Sequence, residues 1–404
     1  MMKSLGIPNN KFLVGTASSA HQIEGDNIYN NWHKKEIMLE QIEDSGKAIN
    51  GYELYKTDRK IMQDLGCNAY RFSIEWSRIN PTEGVYKDKE IEHYNNVISD
   101  LIDNGITPVI TLHHFTNPIW FAEKGGWLKR SNVSYFIKYL EYLIPRLDNR
   151  VEYFITINEP NVYTASQYVV KAWYPYELNI IKAYKKYHNL LDAHKKTYSL
   201  VKKYFPNSQI SFATNHMVIK PMKNFAYPIN YLLTKIAKYL INQYFLNRAL
   251  STIDFIAFNF YGIFSLGLTR EGINTFPDLK KIFTNTGASS YKYFPAESIS
   301  VALDELNKYK KPLMITENGL LTDHDDERVG FLKVVFKSIK EWNRKNKNLI
   351  GYFHWTLIDN YEWELGYKAQ YGLFTYNKDT FERIPKESSK VFKLLLTHFK
   401  SIKF

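Results

Sequence analysis

Glu159 and Glu317 each stand where a short apolar run turns polar and breaks. FITINEP (154–160) ends on Glu159 and Pro160, and LMITENG (313–319) ends on Glu317 with Asn318 and Gly319 behind it. An apolar stretch of strand length followed by proline, or by an Asn-Gly turn signal, places both acids at strand ends. Two carboxyl groups brought together from distant parts of a chain are the minimum equipment for acid-assisted cleavage of a glycosidic bond. A lone strand-end glutamate is more often an ion-pair partner than a catalyst, so the neighbours matter. Asn158, beside Glu159, offers an amide to a substrate hydroxyl, and Arg71 could hold a nearby carboxylate ionised. Tyr261, two residues beyond Asn259 and so on the same side of its strand, could donate a hydrogen bond to that carboxylate.

The elements that must position these residues recur along the chain. Short apolar runs occupy 12–17, 69–74, 107–114, 152–159, 209–215, 254–262, 312–319 and 349–357. Helical patterns fill the gaps: Ile91, Tyr94, Ile98, Leu101 and Ile102 form one stripe that Asn104-Gly105 ends, and Ile61, Met62 and Leu65 precede Gly66. Strands apolar on both faces, alternating with helices, predict a parallel sheet closed into a (β/α)8 TIM barrel, one domain spanning 1–404. In such a barrel the active site lies at the C-terminal ends of the strands. The strand-closing residues Arg71, His113, His114, Asn158, Glu159, Asn259, Tyr261, Glu317 and Trp355 make an acidic, amide-rich and aromatic ring suited to a neutral polyhydroxylated ligand. His113 and His114 do not predict a metal, because adjacent strand residues point to opposite faces; one is expected in the pocket and the other toward the helices. Trp355, Trp363 and Trp120 are read first as core, although a tryptophan at a strand end is well placed as a sugar platform.

Composition narrows the partners. The 404 residues carry a net charge of +12, but the lysines are scattered, with no arginine-rich tract, so a solvated surface is expected and nucleic acid is not. A single cysteine, Cys67, leaves no internal disulfide. No apolar run reaches membrane-span length, and the N-terminus lacks the apolar core of a leader, so a cytoplasmic location is expected.

At these residues the chain resembles glycoside hydrolase family one, the β-glucosidase and β-galactosidase group. FLVGTASSAHQIEG (12–25), YRFSIEWSRI (70–79), TLHHFTNP (111–118), TINEP (156–160), ITENG (315–319) and YFHWTLIDNYEWELGY (352–367) match its motifs in order. The resemblance implies a cofactor-free, metal-free retaining β-glycosidase acting on terminal β-D-glucosides or β-D-galactosides. It makes Glu159 the acid/base and Glu317 the nucleophile. Gln22, His114, Asn158, Glu362 and Trp363 would hold the glycone hydroxyls, Trp355 would form the sugar platform, and Tyr371 would close the glycone site. Arg71 and Tyr261 would orient Glu317, with Asn259 lining the same pocket. A transglycosylating enzyme shares every one of these residues, and a non-catalytic sugar-binding or membrane-associated barrel is a further alternative.

Departures from the family pattern carry expectations too. Glu362 and Ala369 stand where members that cleave 6-phosphorylated sugars have serine and lysine, and a charged Glu362 would repel phosphate; Lys368 lies close by. His21 replaces the aromatic that usually precedes the glutamine. Abbreviated segments after Gly25 and Phe245 predict an open aglycone side with broad tolerance of leaving groups. Residues 229–246 place Leu232, Ile236 and Leu240 at helical spacing, with Leu233, Ala237 and Ile241 widening the stripe and Lys235 and Lys238 beside it. The first expectation there is a barrel helix packing inward, and a membrane-surface or subunit contact is the alternative. The sequence leaves the oligomeric state open.

Overall fold

The computed structural model describes residues 11–39, 43–270, 272–276, 278 and 295–400. The leader expectation falls mainly on residues 1–10, outside the described residues. Eight strands close a barrel: β1 (Leu13–Ala17), β2 (Ala69–Ser73), β3 (Thr107–Thr111), β4 (Tyr153–Asn158), β5 (Gln209–Asn215), β6 (Ile256–Asn259), β7 (Leu313–Asn318) and β8 (Leu349–Trp355). Each is parallel to the next, and β8 pairs with β1 from Leu13 opposite Gly351 to Ala17 opposite Trp355. All but the first residue of β3 are buried, as expected of strands that face helices outside and packed side chains inside.

The barrel interior alternates bulk, with Ala69, Ala213 and Ala257 small enough to admit Tyr153, Phe255 and Phe353. Gly15 is obligatory in β1, because a Cβ there would stand 1.7 Å from the carbonyl oxygen of Ala69. The helix Asp88–Asp103 buries Ile91, Tyr94, Ile98 and Leu101 and stops at Asn104 and Gly105, whose φ is 74°; the helix Gly51–Leu65 stops at Gly66 with φ 84°.

The segment between β5 and β6 departs from expectation. A helix spans Tyr227–Lys238, a π-helical turn follows at Tyr239–Gln243, and a second helix covers Tyr244–Ala249. The first helix packs on a small sheet made of Val218–Pro221, Ile263–Thr269 and Gly272–Phe276. Ala237 and Ile241 pack on the core as expected, but Leu232, Ile236 and Leu240 point outward, so the inward-packing expectation is wrong for them. Periodicity locates a stripe, but the residues buried beneath this helix are Asn230 and Thr234.

Candidate active site

Two local irregularities aim the carboxylates. Pairing slips between Ile155 and Asn158 where β4 meets β5, and between Ile315 and Glu317 where β7 meets β6. A bulge inserts a residue on one strand and re-aims the side chains beyond it, and these two sit at the ends that deliver the acids. Glu159 itself is left-handed, with φ 40° and ψ 59°, and it caps the helix Pro160–Tyr168, whose first position takes proline at no cost in hydrogen bonds. Gly319 makes room behind Glu317, since a Cβ there would lie 2.0 Å from the carbonyl oxygen of Trp355.

Arg71, expected to close β2, is fully buried at the middle of that strand and organises the floor. It donates from Nη1 to Glu317 Oε1 at 2.7 Å, from Nη2 to Asn158 Oδ1 at 2.6 Å and from Nε to Thr111 Oγ1 at 3.1 Å. Tyr261 donates to Glu317 Oε2 at 2.8 Å. Glu159 receives only neutral donors: Asn259 Nδ2 at 2.8 Å and Asn215 Nδ2 at 2.9 Å, both to Oε1. Thr316 Oγ1 donates to the carbonyl oxygen of Asn259 at 2.7 Å, which fixes the orientation of the amide.

These partners set the two acids apart. Burial, and then the charge of Glu317, push Glu159 up to about 8. Burial also raises Glu317, but Arg71 and Tyr261 oppose the rise. A carboxylate touching a guanidinium ionises before one touching amides, so the proton resides on Glu159 and the charge on Glu317.

The wall beyond is aromatic and amide-lined. Trp355 Nε1 donates to Glu362 Oε1 at 2.8 Å, and Glu362, buried, is pushed up to about 8 by burial. Gln22 donates to the carbonyl of Tyr361 at 2.8 Å and accepts from Ser19 Oγ at 2.7 Å. Tyr371 meets Tyr261 edge-on with ring centres 6.1 Å apart. His114 stacks between Trp355 and Trp363, at 6.0 Å and 6.2 Å. Its tautomer follows from its neighbours. Asn158 Oδ1 already accepts from Arg71 and Asn259, so Asn158 Nδ2 must be the group 3.2 Å from His114 Nε2, which therefore accepts. The proton then sits on Nδ1, a buried atom with no protein partner. Burial and Arg71 hold His114 well below its usual range, keeping it neutral. His113 faces the helical layer instead, bonded to Asn117 at 3.0 Å and edge-on to Trp127. Trp120 lies away from this constellation, bonded to the carbonyl of Asn80.

The sequence profile of Glycosyl hydrolase family 1 matches residues 6–251 and 246–400, nearly the whole chain. The chain belongs to glycosyl hydrolase family 1. Beta-glucosidase A of Thermotoga maritima is 27% identical, over 93% of this chain and 95% of its own length. The Beta-galactosidase of Pyrococcus woesei is 27% identical, over 94% of each. Among solved structures, the beta-glycosidase from Pyrococcus horikoshii superposes with a TM-score of 0.87 at 34% identity, covering 97% of this chain and 95% of that one. This family 1 chain is therefore an enzyme, a glycoside hydrolase, and the non-catalytic barrel left open by the sequence is set aside.

Sequence reasoning passed over several residues of this family 1 site. Asn215, which donates to Glu159, closes β5, a strand from which no end residue was collected; its position at a strand end was the available signal. His21 does not touch the pocket. It stacks on Trp363 with ring centres 5.6 Å apart and bonds Glu36 at 2.9 Å and Asn30 at 3.0 Å, so it braces the tryptophan from behind. Thr111 and Thr316 hold Arg71 and Asn259 in turn.

Proposed function

We propose that this chain is a retaining β-glycosidase that hydrolyses terminal β-D-glucosides or β-D-galactosides, with Glu317 as nucleophile and Glu159 as acid and base. The observation that carries the reading is the difference in donors: Glu317 is held by the Arg71 guanidinium at 2.7 Å and the Tyr261 hydroxyl at 2.8 Å, whereas Glu159 is held by the amides of Asn259 and Asn215 alone. One acid kept protonated and one kept charged is the pairing that a nucleophile and an acid/base require.

In the first step Glu317 forms a bond to the anomeric carbon, the bond to the aglycone oxygen breaks, and the proton of Glu159 passes to that oxygen. Both amides occupy Oε1 of Glu159, so Oε2 is the oxygen left to carry this proton. The ester then removes the charge that raised Glu159, which becomes a base. Water attacks the anomeric carbon, gives a proton to Glu159 and releases Glu317 ionised. Gln22, His114, Asn158, Glu362, Trp363, Trp355 and Tyr371 form the glycone wall in this reading, with Arg71, Asn259 and Tyr261 holding the acids. The names of the relatives, glucosidase and galactosidase, agree with either sugar. The single cysteine agrees with a cytoplasmic setting.

Glu362 changes one expectation. With its carboxyl raised to about 8 it meets a ligand largely neutral at pH 7, so the repulsion of phosphate expected from the sequence is weaker than a full charge gives. A panel of nitrophenyl glycosides tests the function: turnover of the β-glucoside or β-galactoside with net retention, assigned by NMR of the first-formed anomer, and little turnover of 6-phosphorylated counterparts. First-formed α-anomer, or preference for the phosphorylated sugars, overturns it.

The same ordering of acids predicts a bell-shaped profile of kcat/KM. As pH falls, Glu317 gains a proton and the nucleophile is lost. As pH rises through about 8, Glu159 loses its proton and the acid is lost. A profile flat from the acid side to pH 9 would contradict this ordering.

A further inference from the structure

The helix Tyr227–Lys238 and the π-helical turn after it pack Ala237 and Ile241 on the core but otherwise bury polar groups and expose apolar ones. Their buried positions are Asn230, Thr234 and Asn242, while Leu232, Ile236 and Leu240 stand 59%, 49% and 52% exposed. The polar side is committed to the protein. Asn230 donates to the carbonyl of Met222 at 3.0 Å and accepts from the amide of Leu268 at 2.7 Å. Asn242 donates to the carbonyl of Met217 at 2.7 Å and accepts from its amide at 3.1 Å. These bonds prevent the helix from rolling its leucines inward, so the outward apolar stripe is its built state. A surface helix ordinarily shows the opposite arrangement.

Two neighbours extend the stripe. Phe225, just before the helix, is 75% exposed, and Ile181 and Tyr184, at the start of the helix Ile180–Tyr204, are likewise exposed; Tyr184 reaches Tyr244 by hydrogen bond. Along the chain the charge here has one sign, and the acid that meets it from outside, Glu305, is paired with Lys238 at 2.8 Å and His216 at 2.9 Å. No aspartate or glutamate lies between Asp192 and Asp254, a span that carries eight lysines and one arginine. Lys223 and Lys235 are exposed at its edge, the latter with its ammonium 4.5 Å from the ring centre of Tyr231.

We propose that this face docks on an anionic lipid surface, its leucine and isoleucine side chains entering the headgroup boundary and its lysines meeting the lipid charge. Apolar side chains flanked by tyrosines and lysines are the composition of a helix lying in an interface. No helix among the described residues is long and apolar enough to cross a membrane, so the contact is peripheral. A second copy of the chain is the poorer occupant, because two such faces would bring their lysines together. The face also lies near the mouth of the barrel: Met217, which Asn242 grips, is two residues beyond Asn215, the donor to Glu159.

Flotation with phosphatidylcholine vesicles, with and without phosphatidylglycerol, tests this. The whole protein is expected to float with the anionic vesicles, less with phosphatidylcholine alone and less as salt rises. A variant combining Leu232→Ser, Ile236→Ser and Leu240→Ser is expected to bind at least about tenfold more weakly while hydrolysing a water-soluble aryl glycoside as before, which shows the barrel intact. Wild-type protein that stays with the pellet, or a variant that floats equally well, overturns the proposal. So does sedimentation in lipid-free buffer showing a dimer that the same variant breaks.

Discussion

Replacing Glu317 with glutamine is expected to lower kcat/KM on an activated aryl glycoside by at least about 10⁴-fold, since the nucleophile is removed and no second carboxylate replaces it. The shape of the site should survive. Glutamine retains a carbonyl oxygen that can accept from Arg71 or Tyr261, which bond the two oxygens of Glu317 at 2.7 Å and 2.8 Å. The cost falls on electrostatics, because the fully buried guanidinium of Arg71 loses the anion it faces. A second readout separates chemistry from misfolding. The charge of Glu317 helps hold Glu159 near 8, so in Glu317→Gln the carboxyl of Glu159 should titrate below its wild-type position, measurable by NMR on carbon-labelled glutamate. Activity within tenfold of wild type would sink the nucleophile assignment. Lost activity with Glu159 unmoved would mean that the two acids are not electrostatically coupled.

The barrel was legible because all eight strands are buried on both faces, which writes each as a near-continuous apolar run, and because the helices between them end at Gly66 and Gly105 in left-handed conformation. The site was legible as far as it lies at strand ends. Arg71, Asn158, Glu159, Asn259, Tyr261 and Glu317 converge in one hydrogen-bonded group even though up to 246 positions separate Arg71 from its carboxylate. The bulges that turn the acids into the pocket were not legible, since a bulge is a mismatch between two strands and leaves no mark on either alone. Nor was the role of His21, whose partners come from the helix Asn31–Met38 with its cap Asn30 and, from far along the chain, Trp363. The helix Tyr227–Lys238 shows the same limit from the other side. A hydrophobic stripe fixes which residues share a face, but only the tertiary bonds of Asn230 and Asn242 decide that this face looks outward.

Glu159→Gln should divide substrates by their leaving groups. A positioned general acid contributes on the order of 10²–10⁴-fold, so substrates that leave as alcohols should slow by about that factor, whereas a phenol acidic enough to depart as its anion needs no proton from Glu159. For such a phenol the first step should stay fast and the second should become limiting, because water then lacks its base. The expected result is a burst of phenol equal to the enzyme present, followed by slow turnover. The pH profile should change with it. Glu159 and Glu362 are both held near 8, so the alkaline limb of wild type has two candidate owners. If Glu159 owns it, the limb vanishes in Glu159→Gln; if it persists, Glu362 owns it, and Glu362→Gln should remove it. Without a burst, and with all leaving groups slowed alike, Glu159 would be a binding group, and the proton would have to come from the only other acid of the wall raised so far, Glu362.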